Sequence, residues 1–158
     1  MTSDTVNASP SAYKINVPNV LQEQTNWCWA ASSVSCLAYS GITGISQTAF
    51  VTYVKGSNVN QGGSILEVKS GLTHYGASWL YSSVHLSLSD IILQIYNNKR
   101  PIIAGIHASG DHMVVIKGYV NTSTEQKVCY MDPWYGTEKT KTYSTFSSTW
   151  DDTLYNIH

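Results

Sequence analysis

Charge is scarce in this sequence. Asp, Glu, Lys and Arg make up 12% of its 158 residues and nearly cancel, leaving a formal net charge of -1, whereas a globular chain ordinarily carries about 25%. No run of Lys or Arg is long enough to neutralise several phosphates, which removes the electrostatic basis for a nucleic-acid partner. Long apolar runs are missing too. Stretches such as Pro101 to Ile106 fall far short of the roughly 20 residues of a spanning helix, so no membrane partner is expected. Met1 to Asp4 has neither the basic nor the apolar region of a secretory signal, and any such signal is expected to be absent or already removed.

Cysteine is sparse. Cys28, Cys36 and Cys129 cannot all pair within one chain, which leaves at least one thiol with another job. There is no C-x-x-C, and His74, His85, His107, His112 and His158 offer only a loose H-x4-H at His107 and His112. Neither a structural metal nor another cofactor is expected from such spacing.

What is present suits one compact domain, with plentiful Ser, Thr, Asn, Tyr and Gly. Residues 1 to 13 are rich in Ser, Thr and Asn and predict a poorly ordered tail; Lys14 to Leu21 reads as extended chain, because Pro18 opposes a helix. From Asn26 to Tyr39, Trp27, Ala30, Ala31, Val34, Leu37 and Ala38 recur at helical spacing, with Asn26 as the expected cap and Gly41 as the stop. A second helix is expected after Ser46, ending at Gly56. Ser57 to Gly63 is a loop by composition, and Ser64 with Glu67 forms the capping-box signature of a third helix ending near Gly76. A fourth opens at Ser89 and breaks before Pro101.

Beyond Pro101 the pattern turns to β. Ile102 to His107, His112 to Val120 and Lys127 to Trp134 are rich in Val, Ile and Tyr, and shorter strands are expected around Lys139 to Tyr143 and Thr153 to Ile157. Helices first and strands second is an α+β arrangement, with a site expected where the halves meet.

Cys28 falls in the first turn of the Asn26 to Tyr39 helix, where unpaired backbone N–H groups and the helix dipole favour a thiolate. Cys36 and Cys129 lack that position and read as small core residues. A hairpin about Asn121 to Gln126 with a pairing sum of 244 sets His112 opposite Asp132, close enough for the carboxylate to accept an imidazole N–H. One residue of slippage would send the two to opposite faces. Taken alone such a pair reads first as a structural cross-strand contact, and a cysteine at a helix start in the same chain turns the reading toward a catalytic couple. His107, across the turn from His112, is the competing base; His74 and His85 read as structural or surface residues, and Asp151 with Asp152 as a solvated pair.

The segment Gln22-Glu23-Gln24-Thr25-Asn26-Trp27-Cys28-Trp29-Ala30 resembles the active-site segment of papain-like cysteine proteases. Three distant segments resemble the same family, so the likeness runs from about Pro18 to Trp134. Asp111-His112 followed by Met113 to Tyr119 is similar to the histidine strand, Asp132-Pro133-Trp134 to the Asn-x-Trp element, and Gly62-Gly63 to the paired glycines that hold an extended substrate. The Cys-Trp-Ala-Ala form is most similar to a bacterial branch that includes staphopains and secreted effector proteases of plant pathogens.

The resemblance implies a papain-like fold over residues 14–158, with an N-terminal helical half packed on a C-terminal antiparallel sheet and the active site between them. It implies Cys28 as nucleophile, His112 as general base and acid, Asp132 as the group orienting His112, and the Gln22 amide with the Cys28 backbone N–H as the oxyanion hole. Trp134 would shield the triad, and Gly62, Gly63, Asp111, Trp27 and Trp29 would bind substrate, with ordinary core packing the alternative for the two indoles Trp27 and Trp29. Asp132 stands where papain has asparagine, a variation the bacterial branch shares; its charge should hold an imidazolium more strongly. The cysteine pairs that staple papain have no counterpart, and no room is expected before Gln22 for an inhibitory pro-segment. A protein or peptide substrate, a monomer and bacterial secretion are the corresponding expectations. Alternatives are a leader-peptide peptidase or cell-wall amidase of the same fold, and a non-catalytic toxin or effector that binds through the cleft.

Overall fold

The computed structural model describes residues 9–107 and 109–158. Helix α1, Cys28–Tyr39, lies at the centre of the helical half. Eight of its twelve residues are buried, so it is wrapped on nearly every side rather than along one apolar stripe. Its small residues let neighbours approach, and their hydroxyls are satisfied: Ser33 Oγ donates to Trp29 O at 2.7 Å, and Ser35 Oγ to Pro18 O at 2.6 Å. Helix α2, Gln47–Lys55, starts on the Ser46 hydroxyl and stops at Gly56, whose φ of 81° is the left-handed turn that glycine takes most easily. Helix α3, Ile65–His74, carries both arms of the expected Ser64–Glu67 capping box.

Two helix starts differ from expectation. Asn26 does not cap α1, because its backbone N–H and side chain both engage Asn60; Trp27 takes the cap position without a side-chain bond. Helix α4, Leu88–Ile92, is capped by Ser87 rather than opened at Ser89, since Ser87 Oγ accepts the Asp90 N–H at 3.1 Å. It continues as a π-turn over Leu93–Asn97 before Pro101.

The strands are β1, Ala12–Lys14; β2, Leu80–Ser82; β3, Ile102–His107; β4, Asp111–Asn121; β5, Gln126–Asp132; β6, Thr137–Thr142; and β7, Trp150–Tyr155. Helix α5, Tyr143–Ser147, links the last two. They form one antiparallel sheet in the order β2-β7-β3-β4-β5-β6, with β1 added along the far part of β4. The expected tail over residues 1 to 13 is therefore corrected at its end: Ala12 pairs with Val120 and Tyr13 with Tyr119. The alternation of Tyr13, Ile15 and Val17, which points these side chains inward, outweighs the polar composition around them. Residues 1 to 8 of that tail lie outside the described residues.

The β4–β5 register is also corrected. Val115 pairs with Met131 and Ile116 with Tyr130, but Gly118 pairs with Cys129. Lys117 is the extra residue of a bulge. Its ammonium turns into the protein and donates to Val17 O at 2.7 Å. The pairing sum is thus 246 beside the site and 247 toward the loop, not 244, and the connection shortens to Thr122–Glu125 because Asn121 pairs with Gln126. Gly118 is required here: a Cβ would meet Tyr13 O at 2.9 Å.

The core lies between α1 and the sheet, where Ile102, Ile103, Val114 and Ile116 meet Ala30 and Leu37. Cys36 is part of it, as expected. Cys129 is not: it is only partly buried, with its thiol 3.4 Å from Glu138 Oε2 and 3.5 Å from Thr140 Oγ1.

Candidate active site

Cys28 is the first residue of α1. No side chain caps that end, so the first-turn N–H groups are available at the cleft. Two bonds fix the helix end in place. Trp27 Nε1 donates to Val59 O at 2.8 Å and Trp29 Nε1 to Gln61 O at 3.0 Å, tying the loop before α3 to the residues on either side of the cysteine. Both indoles are buried, at 1% and 0% exposure. The expected substrate contact by Trp27 and Trp29 is corrected accordingly: their rings pack in the core, and they act on the cleft through the loop they hold.

That loop presents Gly62 and Gly63 to the cleft. Gly63 lies flat on Trp29, where an added Cβ would stand 2.2 Å from the ring, while Gly62 has open space around it. The opposite wall is the end of the sheet. One turn into α1, Ser32 Oγ donates to Met113 O at 3.3 Å, joining the helix that carries Cys28 to the residue after His112.

His112 and Asp132 come together. His112 Nε2 lies 2.7 Å from Asp132 Oδ1, so with that nitrogen donating, Nδ1 remains for Cys28. Burial disfavours the imidazolium, but the Asp132 carboxylate and, after it, the neighbouring Cys28 sulfur as acceptor prevail and raise His112 to about 9. Asp132 is raised by burial and lowered more strongly by the hydrogen bonds from His112, the Trp134 N–H and Lys139, which hold it at about 2. The arrangement is a proton acceptor between a thiol and a carboxylate, the layout of nucleophilic acyl transfer.

The remaining residues take different places. Gln22 is buried beside this group; its backbone N–H donates to Pro133 O at 2.8 Å, and Gln47 clamps the neighbouring Leu21 and Glu23 backbone. Its Nε2 donates to Gln24 O and Thr25 O, at 3.0 and 2.8 Å, and its Oε1 is buried without a partner. Trp134 lines the cleft, half exposed, and its backbone N–H donates to Asp132 Oδ1 at 3.1 Å. Asp111 lines the cleft with a fully exposed carboxylate. His107 also lines the cleft, and its Nε2 is 2.7 Å from Asp151 Oδ2. Asp152 is not simply solvated, since it accepts the Tyr81 hydroxyl at 2.8 Å.

Lys139, not singled out in the sequence, is the addition. Its Nζ lies 3.1 Å from Asp132 Oδ2. An acid and a lysine flanking the Pro133–Gly136 turn at same-face positions are the signal that could have found it.

The family model described as the Peptidase_C39 like family matches residues 14–156. Comparison with curated proteins gives no match. Among solved structures, the peptidase domain of Streptococcus ComA, a bi-functional ABC transporter involved in quorum sensing, is 18% identical with a TM-score of 0.67, over 92% of this chain and 97% of that one. A double glycine motif protease from an AMS/PCAT transporter, in complex with the leader peptide, is 21% identical with a TM-score of 0.65, over 90% and 91%. Digestive procathepsin L2 from the Tenebrio molitor larval midgut is 11% identical with a TM-score of 0.65, over 92% and 67%. At these identities the likeness is one of fold, and that fold is papain-like. With the family model spanning nearly its whole length, the chain belongs to the Peptidase_C39 like family and is a papain-like cysteine peptidase.

Proposed function

We propose that the chain is an endopeptidase in which Cys28 is the nucleophile, His112 the general base and acid, and Asp132 the group that orients His112. The observation that carries this reading is the 2.7 Å contact of His112 Nε2 with Asp132 Oδ1 at the mouth of a helix that begins with Cys28. The Cys28 thiolate attacks a peptide carbonyl, and the Cys28 backbone N–H at the open end of α1 faces the developing oxyanion. Gln22 adds a second donor when one of its two amide protons leaves the carbonyl of Gln24 or Thr25. His112, as imidazolium, protonates the leaving amine. A thioester to Cys28 remains, and water activated by neutral His112 releases the acid.

Peptide is favoured over other amides by the wall opposite His112. Gly62 and Gly63 present bare backbone at the cleft, which suits an extended chain bound by main-chain hydrogen bonds. The leader-peptide complex of the double glycine motif protease supports the same class, and a leader sequence is one form such a substrate could take. Hydrolysis of a quenched peptide library and of purified peptidoglycan, each by wild type and Cys28→Ala, tests the reading. Peptide cleavage that disappears in Cys28→Ala is expected; peptidoglycan cleavage alone, or peptide cleavage surviving in the variant, would overturn it.

A further inference from the structure

The two oxygens of Asp132 are used differently. Oδ1 takes His112 Nε2 at 2.7 Å and the Trp134 N–H at 3.1 Å, whereas Oδ2 takes the Lys139 ammonium at 3.1 Å. Lys139 arrives from β6. Asp132 pairs directly with Thr137 and Tyr130 with Lys139, so Lys139 stands two residues from the direct partner of Asp132 and shares its face. The ammonium also sits 3.8 Å from the centroid of the Tyr135 ring, a cation–π contact that narrows its range of positions. The Asp132 side chain is 10% exposed and that of Lys139 38%, so the ammonium reaches inward from the rim to a carboxylate that is already covered.

An exposed ion pair would count for little. Here one partner is buried and is itself bound to the catalytic histidine. The carboxylate torsion is broad and two-fold, so a carboxylate held by one oxygen alone could turn its hydrogen-bonding edge away from His112. Holding the second oxygen removes that freedom. Resting on the reading of Cys28, His112 and Asp132 as the reacting group, we propose that Lys139 is a positioning residue of this peptidase: it locks the Asp132 carboxylate with Oδ1 aimed at His112, and its charge limits how firmly Asp132 keeps His112 protonated.

The sign of the electrostatic effect follows from the groups present. Among the described residues, the titratable groups facing the carboxylate are His112 from β4, Lys139 from β6 and Tyr130 from its own strand, with Cys28 on α1 beyond His112. Removing the ammonium leaves the carboxylate charge less compensated. His112 then keeps its proton to higher pH, and the alkaline limb of kcat/KM moves up.

Lys139→Met, Lys139→Gln and Lys139→Arg, made in the full chain and assayed with one quenched fluorogenic peptide that the wild type cleaves, test this. Lys139→Met is expected to lower kcat roughly 3- to 10-fold with KM nearly unchanged, and to raise the alkaline limb by about half a pH unit, as for loss of one partly screened charge. Lys139→Gln, a donor without charge, should show the same limb shift with part of kcat regained, and Lys139→Arg should resemble wild type in both. NMR titration of the His112 ring should give the same shift without turnover. An unchanged kcat and limb in Lys139→Met, an effect on KM alone, or Lys139→Arg behaving like Lys139→Met would overturn the proposal. Asp132→Ala separates the two levels. If it leaves hydrolysis intact, the reading of the triad has failed; if it cuts hydrolysis while Lys139→Met changes nothing, only the role of Lys139 has.

Discussion

His112 meets Asp132 on a diagonal. The β4–β5 ladder, continued from Val115 and Met131, sets Asp132 opposite Val114, yet His112 Nε2 reaches Asp132 Oδ1 at 2.7 Å. Diagonal neighbours on one face of a sheet stand about 7–8 Å apart, within reach of a long side chain. A histidine and an aspartate close that gap only by pointing toward each other. Lys139 closes the equivalent gap from β6, so the carboxylate is held from both flanking strands.

Asp132→Asn separates the charge of this contact from its shape. The amide oxygen can still accept from Nε2, but the imidazolium loses its counter-charge. The alkaline limb of kcat/KM should fall from about 9 toward neutrality, with kcat lowered roughly 10- to 100-fold, as for loss of a charge-assisted bond of about 1.5–3 kcal/mol. Steady-state kinetics across pH measures both.

Stability should follow pH at two places. Asp132 is lowered from 3.8 to about 2 in the folded chain, so its contribution is present above about pH 4 and is lost as pH falls through about 2. His112 is raised from 6.5 to about 9; its contribution is complete below 6.5 and is lost as pH rises through about 9. Thermal unfolding of wild type and His112→Ala against pH should show the alkaline loss in the wild type and its absence in the variant.

The paired glycines should respond unequally to alanine. At Gly63 a Cβ would stand 2.2 Å from the buried Trp29 ring, and overpacking of that kind costs about 1–3 kcal/mol. Gly62→Ala meets nothing within 4 Å and should leave Tm nearly unchanged. Gly63→Ala should lower both Tm and kcat/KM, because displacing the loop also displaces the Gln61 carbonyl that Trp29 holds beside Cys28.

The three thiols should react in a defined order. Cys36 is fully buried, and burial pushes its thiol far above the ordinary range, so it should stay unmodified in the native chain. Cys129 is partly exposed, but its thiol too is pushed up, by burial first and by Glu138. Brief iodoacetamide treatment at neutral pH, followed by peptide mapping, should find the label on Cys28 first.

Much of the site was legible because its signals are local or depend only on parity. The place of Cys28 in the first turn of α1, though not the capping residue, follows from the helical recurrence of Ala30, Ala31, Val34 and Leu37. The shared face of His112 and Asp132 survives the corrected register because 244 and 246 differ by an even number of residues, and side chains alternate with period two. The bulge at Lys117 was not legible, since it depends on β1 and Val17 O, brought in from about a hundred residues away. The burial of Trp27 and Trp29 was legible as one of two readings. An indole beside a nucleophile can wall a cleft or anchor a loop, and the distant carbonyls of Val59 and Gln61 decide between the two. Lys139 was hidden by its setting, because Lys139-Thr140-Lys141-Thr142 has the alternation of a solvated edge strand.

The covalent step is the most direct place to look. Wild type mixed with a peptide thioester or activated ester, quenched in acid within the first turnover and mapped by mass spectrometry, should carry the acyl group on the peptide containing Cys28, and Cys28→Ala should carry none. An acyl group on Cys36, Cys129 or a hydroxyl side chain, or full turnover with Cys28 unacylated, would contradict the assignment of Cys28 as the nucleophile.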